Sequence, residues 1–349
     1  MRKMFAPNYT VSDRLLSAIA EIESLHTLVA QTRLLPKREA DLHHRALVET
    51  AHSSTSIEGN TLTLKQVDSV LRGKDVTRRK YVETEVRNYK KALDFIDQRK
   101  ADGMPLVYKD LLALHGLAMK GLIPKGRVGA LRIGAINILG RDEKPMYTGP
   151  GARAVRKKLE EFLIWINDIS VDIHPAVAAA LFHYQFVSVH PFAAGNGRAA
   201  RLATMLYLGL RGYDFKGSIV LDTYYARERS EYFEALHMCQ GDMYSEGQDL
   251  SPWVSYFVSG FLLSAKVLWA EINVLSTIET LFERKRIGRD EADLLHYAKQ
   301  YGSVSLSEAE EILPQYSRRT LQRKLKELVD NGCLESAGAS RSARYGWRE

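Results

Sequence analysis

Residues 175 to 210 constrain the fold of this chain more than any other stretch. Pro175, well placed in the first turn of a helix, opens an apolar run to about Ser188. The segment His190-Pro191-Phe192-Ala193-Ala194-Gly195-Asn196-Gly197 interrupts it, and helical sequence resumes from Asn196 to Leu210. This predicts a helix, a tight loop and a second helix. Gly195 and Gly197 let backbone N–H groups come close to an anion, and a helix N-terminus adds partial positive charge. Arg198 and Arg201 are i,i+3 neighbours, so both can reach one polyphosphate. His190 is the only side chain of the loop whose ordinary pKa suits a proton acceptor near neutrality. Phe192, pointing the other way, would anchor the loop in the core. Taken alone, the same residues also fit a surface loop between two core helices with a satisfied histidine.

The rest of the chain reads mostly as helix. Helical patterning covers 11–35, with Leu15, Ile19, Ile22 and Leu25 in phase, then 39–56, 81–99, 108–119, 153–169, 226–240 and 252–284. Residues 129–151 break the pattern. There Ala135 to Thr148 looks like a β-hairpin turning at Gly140–Lys144. From Ile287 onward three short helical candidates, 290–301, 305–313 and 317–331, precede a strand–turn–strand ending at Trp347. Serines at the starts of the last two suggest caps. That order resembles a winged helix-turn-helix domain. The expected division is an N-terminal helical region at 1–100, a core at 101–284 and the winged-helix domain at 287–349, with the charged run 283–286 as junction.

Composition removes several function classes. With 349 residues, 45% hydrophobic and 26% charged, the chain can bury a core. The +7 balance of 49 basic over 42 acidic residues is compatible with nucleotide or nucleic-acid contact and demands neither. Cys239 and Cys333 form no metal or redox motif, and their scarcity suits a reducing cytoplasm. The apolar stretch 258–275 is interrupted by Lys266 and Glu271, so it reads as a buried helix, and no membrane partner is expected. His174, His183 and His190, spaced nine and seven apart, match no metal pattern, which leaves core or cap roles for the first two.

Residues 190–201 resemble the signature of the Fic (Fic/DOC) family, H-x-F-x-(D/E)-G-N-G-R-x-x-R, at seven of its eight specified positions. The resemblance implies an all-α fold: a Fic helical core with a small hairpin flap, here followed by the winged helix. It implies transfer of AMP from ATP to a Tyr, Thr or Ser hydroxyl of a target protein. His190 would be the base, the backbone at Gly195, Asn196 and Gly197 the phosphate cradle, and Arg198 and Arg201 the hold on the distal phosphates. Tyr232, in a segment resembling the one that flanks the nucleotide base, is the adenine-side candidate. The single departure is Ala194, where the family places an acidic ligand for Mg²⁺; a methyl group cannot ligate that cation. ATP would then bring its metal with water in the missing position, or bind with little turnover, or give way to another donor.

Ser54-Thr55-Ser56-Ile57-Glu58-Gly59 resembles the inhibitory motif of the class whose brake precedes the core. There Glu58 would pair bidentately with Arg201 and leave ATP bound askew. The hairpin 135–148 corresponds to the flap that pairs with the target strand, or is a surface decoration. At the C-terminus, Leu321, Leu325 and Leu328 face inward, leaving Arg318, Arg319, Gln322, Arg323 and Lys326 outward. With Arg341 and Arg344 they suggest DNA contact through 317–344, or a protein-interaction module. A homodimer is a further expectation. Two functions therefore stand side by side: a self-inhibited protein adenylyltransferase, and a catalytically weak nucleotide-binding regulator acting through its C-terminal module.

Overall fold

The computed structural model describes residues 5–139, 145–283, 287–337 and 343–348, and over these the chain is mostly helical, as expected. The described elements are α1 (Asp13–Gln31), α2 (Pro36–Ile57), α3 (Leu64–Leu71), α4 (Lys80–Asp102), α5 (Tyr108–Met119), β1 (Asn137–Leu139), β2 (Pro145–Thr148), α6 (Ala152–Ile164) and α7 (Pro175–Val189). They continue with α8 (Asn196–Leu210), α9 (Asp222–Arg227), α10 (Arg229–Gln240), α11 (Ser251–Glu283), α12 (Arg289–Tyr301), β3 (Ser303–Ser305), α13 (Leu306–Ile312), α14 (Arg318–Asp330), β4 (Leu334–Ala337) and β5 (Arg344–Trp347). Two compact units emerge, Met1–Ala30 with Asp41–Lys266, and Gln31–Ala40 with Val267–Glu349. Within the first unit α4 packs on both α5 and α8.

In the first unit α7 is the central rod. All fifteen of its residues are buried, which explains why its sequence is apolar all round instead of amphipathic. Pro175 begins it and His174 caps it, the Ala176 N–H donating to His174 Nδ1 at 3.2 Å. His183 lies wholly inside, ringed by Tyr225, Tyr232, Trp253 and Phe257. Burial pushes its pKa down to about 3, so it stays neutral; both earlier histidines thus have cap or core roles. Residues Ser251–Ile278 are long and apolar enough to cross a membrane by length and composition. In the first unit, however, Trp253, Val254, Phe257 and Phe261 of this helix are fully buried, and the Trp253 indole donates to the Ala180 carbonyl at 2.7 Å.

The second unit carries its own core of Leu294, Leu295, Ala298, Val304, Leu321, Leu325 and Leu328. Ser305 and Ser317 cap α13 and α14, and Ser305 forms a reciprocal capping box with Glu308. The sheet has three antiparallel strands in the order β3-β5-β4. The two-stranded expectation missed Ser303–Ser305, a run too short to announce itself. The turn with Arg341 and the junction residues 284–286 lie outside the described residues.

Candidate active site

The loop between α7 and α8 is built from two backbone reversals. His190 ends α7 in the left-handed conformation, φ 49°, and Gly195 opens α8 at φ 77°. A Cβ on Gly195 would overlap the Met119 side chain, so both the angle and the space call for glycine. Asn196 clamps the turn: the Phe192 N–H donates to Asn196 Oδ1, and Asn196 Nδ2 donates to the Phe192 carbonyl, both at 2.8 Å. Its side chain is thereby spent on the loop, leaving only its backbone amide for a ligand. The Phe192 ring is fully buried and stacks on His115 with centroids 3.7 Å apart. Gly129 donates to His115 Nδ1, so the opposite nitrogen carries the proton and donates to the Ala194 carbonyl at 3.0 Å. The loop is thus gripped from below by aromatic packing and from the side by three side-chain hydrogen bonds.

His190 is held in one tautomer. Its Nδ1 lies 3.1 Å from the Val187 carbonyl, which can only accept, so Nδ1 bears the proton and Nε2 keeps a lone pair. Burial pushes its pKa down to about 4, so the imidazole is neutral at physiological pH. Arg132 braces the same corner, donating to the carbonyls of His190 at 2.8 Å, Gly134 at 2.8 Å and Val189 at 3.3 Å. The hairpin is joined here as well. Tyr147 of β2 is buried and donates to the Ser188 carbonyl at 2.7 Å, while β1 pairs antiparallel with β2. The outer edge of β2 is already used, since Thr148 exchanges backbone bonds with Asp242 and Tyr244. The hairpin tip, 140–144, lies outside the described residues.

The first amides of α8 have no partner within the helix, and Glu58 sits over them. A Cβ placed on Gly197 would fall 2.5 Å from Glu58 Oε1. Glu58 closes α2 in a Schellman turn, with Asn60 N–H bonding to the Thr55 carbonyl, Gly59 N–H to that of Ser56, and Gly59 at φ 98°. Arg201 is almost fully buried and donates from Nη2 to Glu58 Oε1 at 2.9 Å. The contact is single and not bidentate: the Ser54 hydroxyl accepts from Nε at 2.7 Å and its carbonyl from Nη2 at 3.0 Å, while Nη1 is buried and has no hydrogen-bond partner among the described residues. Asp222 approaches Nε at 3.1 Å. Burial acts to raise the Glu58 pKa, but Arg201 and Arg198 outweigh it and hold the carboxyl below its usual range.

Tyr232 is 1% exposed, donates to His183 Nε2 at 2.8 Å and packs against Tyr225 and Phe233. Conversely, Asn60, Glu85, His115, Arg132 and Asp222 were invisible in the sequence. Glu85, His115, Arg132 and Asp222 meet the loop or its arginines from elsewhere in the chain, where no spacing rule operates, and Asn60 meets Glu85. As for Mg²⁺, the residues present do not fit it: Ala194 offers no side-chain oxygen, and among the described residues no group of three or more His, Cys, Asp or Glu could hold a metal.

Comparison with known proteins gives this geometry a family. Residues 105–208 match the family model described as Fic/DOC family. The protein adenylyltransferase Fic of Drosophila virilis is 27% identical over 268 residues, covering 76% of this chain and 50% of that protein. That of Drosophila melanogaster is 29% identical over 223 residues, or 63% and 40% of the two chains. The chain thus spans about half the length of the curated relatives it matches. Among solved structures, a Fic family protein from Desulfovibrio desulfuricans G20 aligns over 98% of both chains at 26% identity and a TM-score of 0.64. Fic-1 from C. elegans aligns over 73% of each chain at 25% identity and 0.59.

Proposed function

This chain belongs to the Fic/DOC family, and from that premise we propose that it is a protein adenylyltransferase restrained by its own Glu58. The observation that carries the proposal is the pairing of a neutral His190, its Nε2 lone pair free, with an anion-ready helix start carrying the buried Arg201 and the part-buried Arg198. His190 Nε2 takes the proton of a target hydroxyl as that oxygen attacks the α-phosphorus of ATP. The bond from the α-phosphorus to the bridging oxygen breaks, and pyrophosphate leaves with the negative charge. The amides of Asn196 and Gly197, with Arg198 and Arg201, stabilise that charge. The target strand adds to the β1 edge of the hairpin, because β2 is already held on its other side at Thr148.

In this reading Glu58 blocks the site twice, lying over the phosphate cradle and holding Arg201. Ala194 weakens catalysis by removing the acidic metal ligand, and the arginines carry more of the leaving-group charge. Labelled ATP tests the proposal. Label should appear on protein with the Glu58→Gly chain and vanish with Glu58→Gly/His190→Ala. No label, or label independent of His190, would reject transferase activity.

Ala194 also favours a second reading, a nucleotide-binding regulator with little turnover. The second unit supports it: α12, α13, α14 and the three-stranded sheet are consistent with a winged-helix reading, and α14 exposes Arg318, Arg319, Gln322, Arg323 and Lys326. We propose DNA as the partner of that face. The scarcity of cysteine, with Cys239 and Cys333 both buried, fits a reducing cytoplasm. Salt-dependent DNA binding without label would favour the regulator.

A further inference from the structure

Arg198, like Arg201, is already in the grip of a carboxylate. Its Nη1 donates to Glu85 Oε1 on α4, and Glu85 Oε2 accepts from Asn60 Nδ2 at 2.8 Å. Asn60 is itself fixed to α4 and to its own loop: Nδ2 also donates to the Val82 carbonyl at 3.0 Å, and Oδ1 accepts from the Leu62 amide at 3.1 Å. Two residues beyond Glu58, then, the chain is anchored.

The two arginine–carboxylate pairs have similar chemistry and very different costs of opening. The Glu58 side chain retains 27% exposure, and it is followed by Gly59 at φ 98°, a residue that can pivot while Asn60 stays in place. Released from Arg201, the Glu58 carboxylate passes into water. Glu85 is 9% exposed against 13% for Arg198, and it stands in the second turn of α4. Separating that pair would strand a buried carboxylate, the costliest way to break an ion pair. An arriving polyphosphate therefore displaces Glu58 and leaves Glu85 where it is. Arg198 still has donors to offer, for its Nε is buried and without a partner among the described residues.

We propose that Glu85 is a positioning residue. It holds the Arg198 guanidinium in place before and after Glu58 departs, with Asn60 steadying Glu85 and marking the fixed side of a hinge at Gly59. This rests on the nucleotide reading above, and it assigns Glu85 a role opposite to that of Glu58 although both are carboxylates on arginines of one helix.

Binding of ATP and of AMP to the Glu58→Gly chain, with and without Glu85→Gln, tests it by calorimetry, independently of turnover. ATP should weaken about tenfold and AMP should not change, because only the triphosphate reaches Arg198. Asn60→Ala should act in the same direction with smaller size, and it serves if Glu85→Gln fails to fold in a thermal melt. Equal losses for ATP and AMP, or unchanged affinities, would overturn the assignment. Tighter ATP binding to Glu85→Gln would also overturn it, making Glu85 a second brake. A Glu58→Gly chain that binds neither nucleotide would instead sink the nucleotide reading, and this inference with it.

Discussion

Two helices in this protein carry basic faces, and they treat their arginines in opposite ways. On α8 the side chains of Arg201 and Arg198 are 1% and 13% exposed, and each is matched to a carboxylate from a remote segment. On α14 Arg318 and Arg323 are 59% and 70% exposed, with loose pairs to Glu310 and Glu327 at 3.5 and 3.8 Å. A buried guanidinium cannot be left uncompensated, so whichever anion meets it decides the state of the site. A solvated one contributes little to stability and keeps its freedom to meet a phosphate. The same residue type is thus a stored charge in one place and a free contact in the other.

The largest test of the buried side is Phe192→Ala. Removing a fully buried ring that stacks on His115 should cost about 3–5 kcal/mol in chemical denaturation. A loss below about 1 kcal/mol would mean that hydrogen bonds alone hold the loop. Next in size is Ala194→Asp, which returns an oxygen ligand beside the cradle. In the Glu58→Gly background it should raise Mg²⁺-dependent labelling about 10- to 100-fold. Labelling unmoved by Mg²⁺ would show that the missing ligand was not the limitation.

The pH profile sharpens the comparison further. In the proposed transfer His190 is the base and must be neutral, and burial pushes its pKa down to about 4. Activity should therefore hold from pH 8 to pH 6 and be lost only as the pH falls towards 4. A midpoint near the ordinary histidine value of about 6.5 would mean that the ring is solvated in the working state. The smallest stability effect belongs to the exposed side. Arg319→Ala and Arg323→Ala should each change stability by under about 0.5 kcal/mol, yet lower the salt slope of DNA binding by about one. An unchanged slope would remove DNA from the reading of that helix.

What could be read in advance was local. The α5 bounds at Tyr108–Met119, the helix–loop–helix at 175–210, and the serine caps at 305 and 317 all depend on residues within a few positions of each other. The inward leucines of α14 followed from helical period alone. The partners of the loop were another matter. His115 meets Ala194 across 79 positions, Glu85 meets Arg198 across 113, and Ser54 meets Arg201 across 147. Tyr232 shows the converse: a tyrosine beside the right segment turned inward, because His183 supplied an acceptor in the core.

The order of residues from His190 to Arg201 by itself determined a loop with a base, a glycine-lined helix start and two cations, since backbone freedom and side-chain spacing are properties of neighbours. It also determined, at Ala194, that one oxygen would be missing. Only the tertiary structure decided that Arg198 would face Glu85, which nitrogen of His190 would be free, and how deeply each pair would be buried. Those outcomes depend on the local dielectric and on groups brought together from far along the chain, and neither exists before the helices pack.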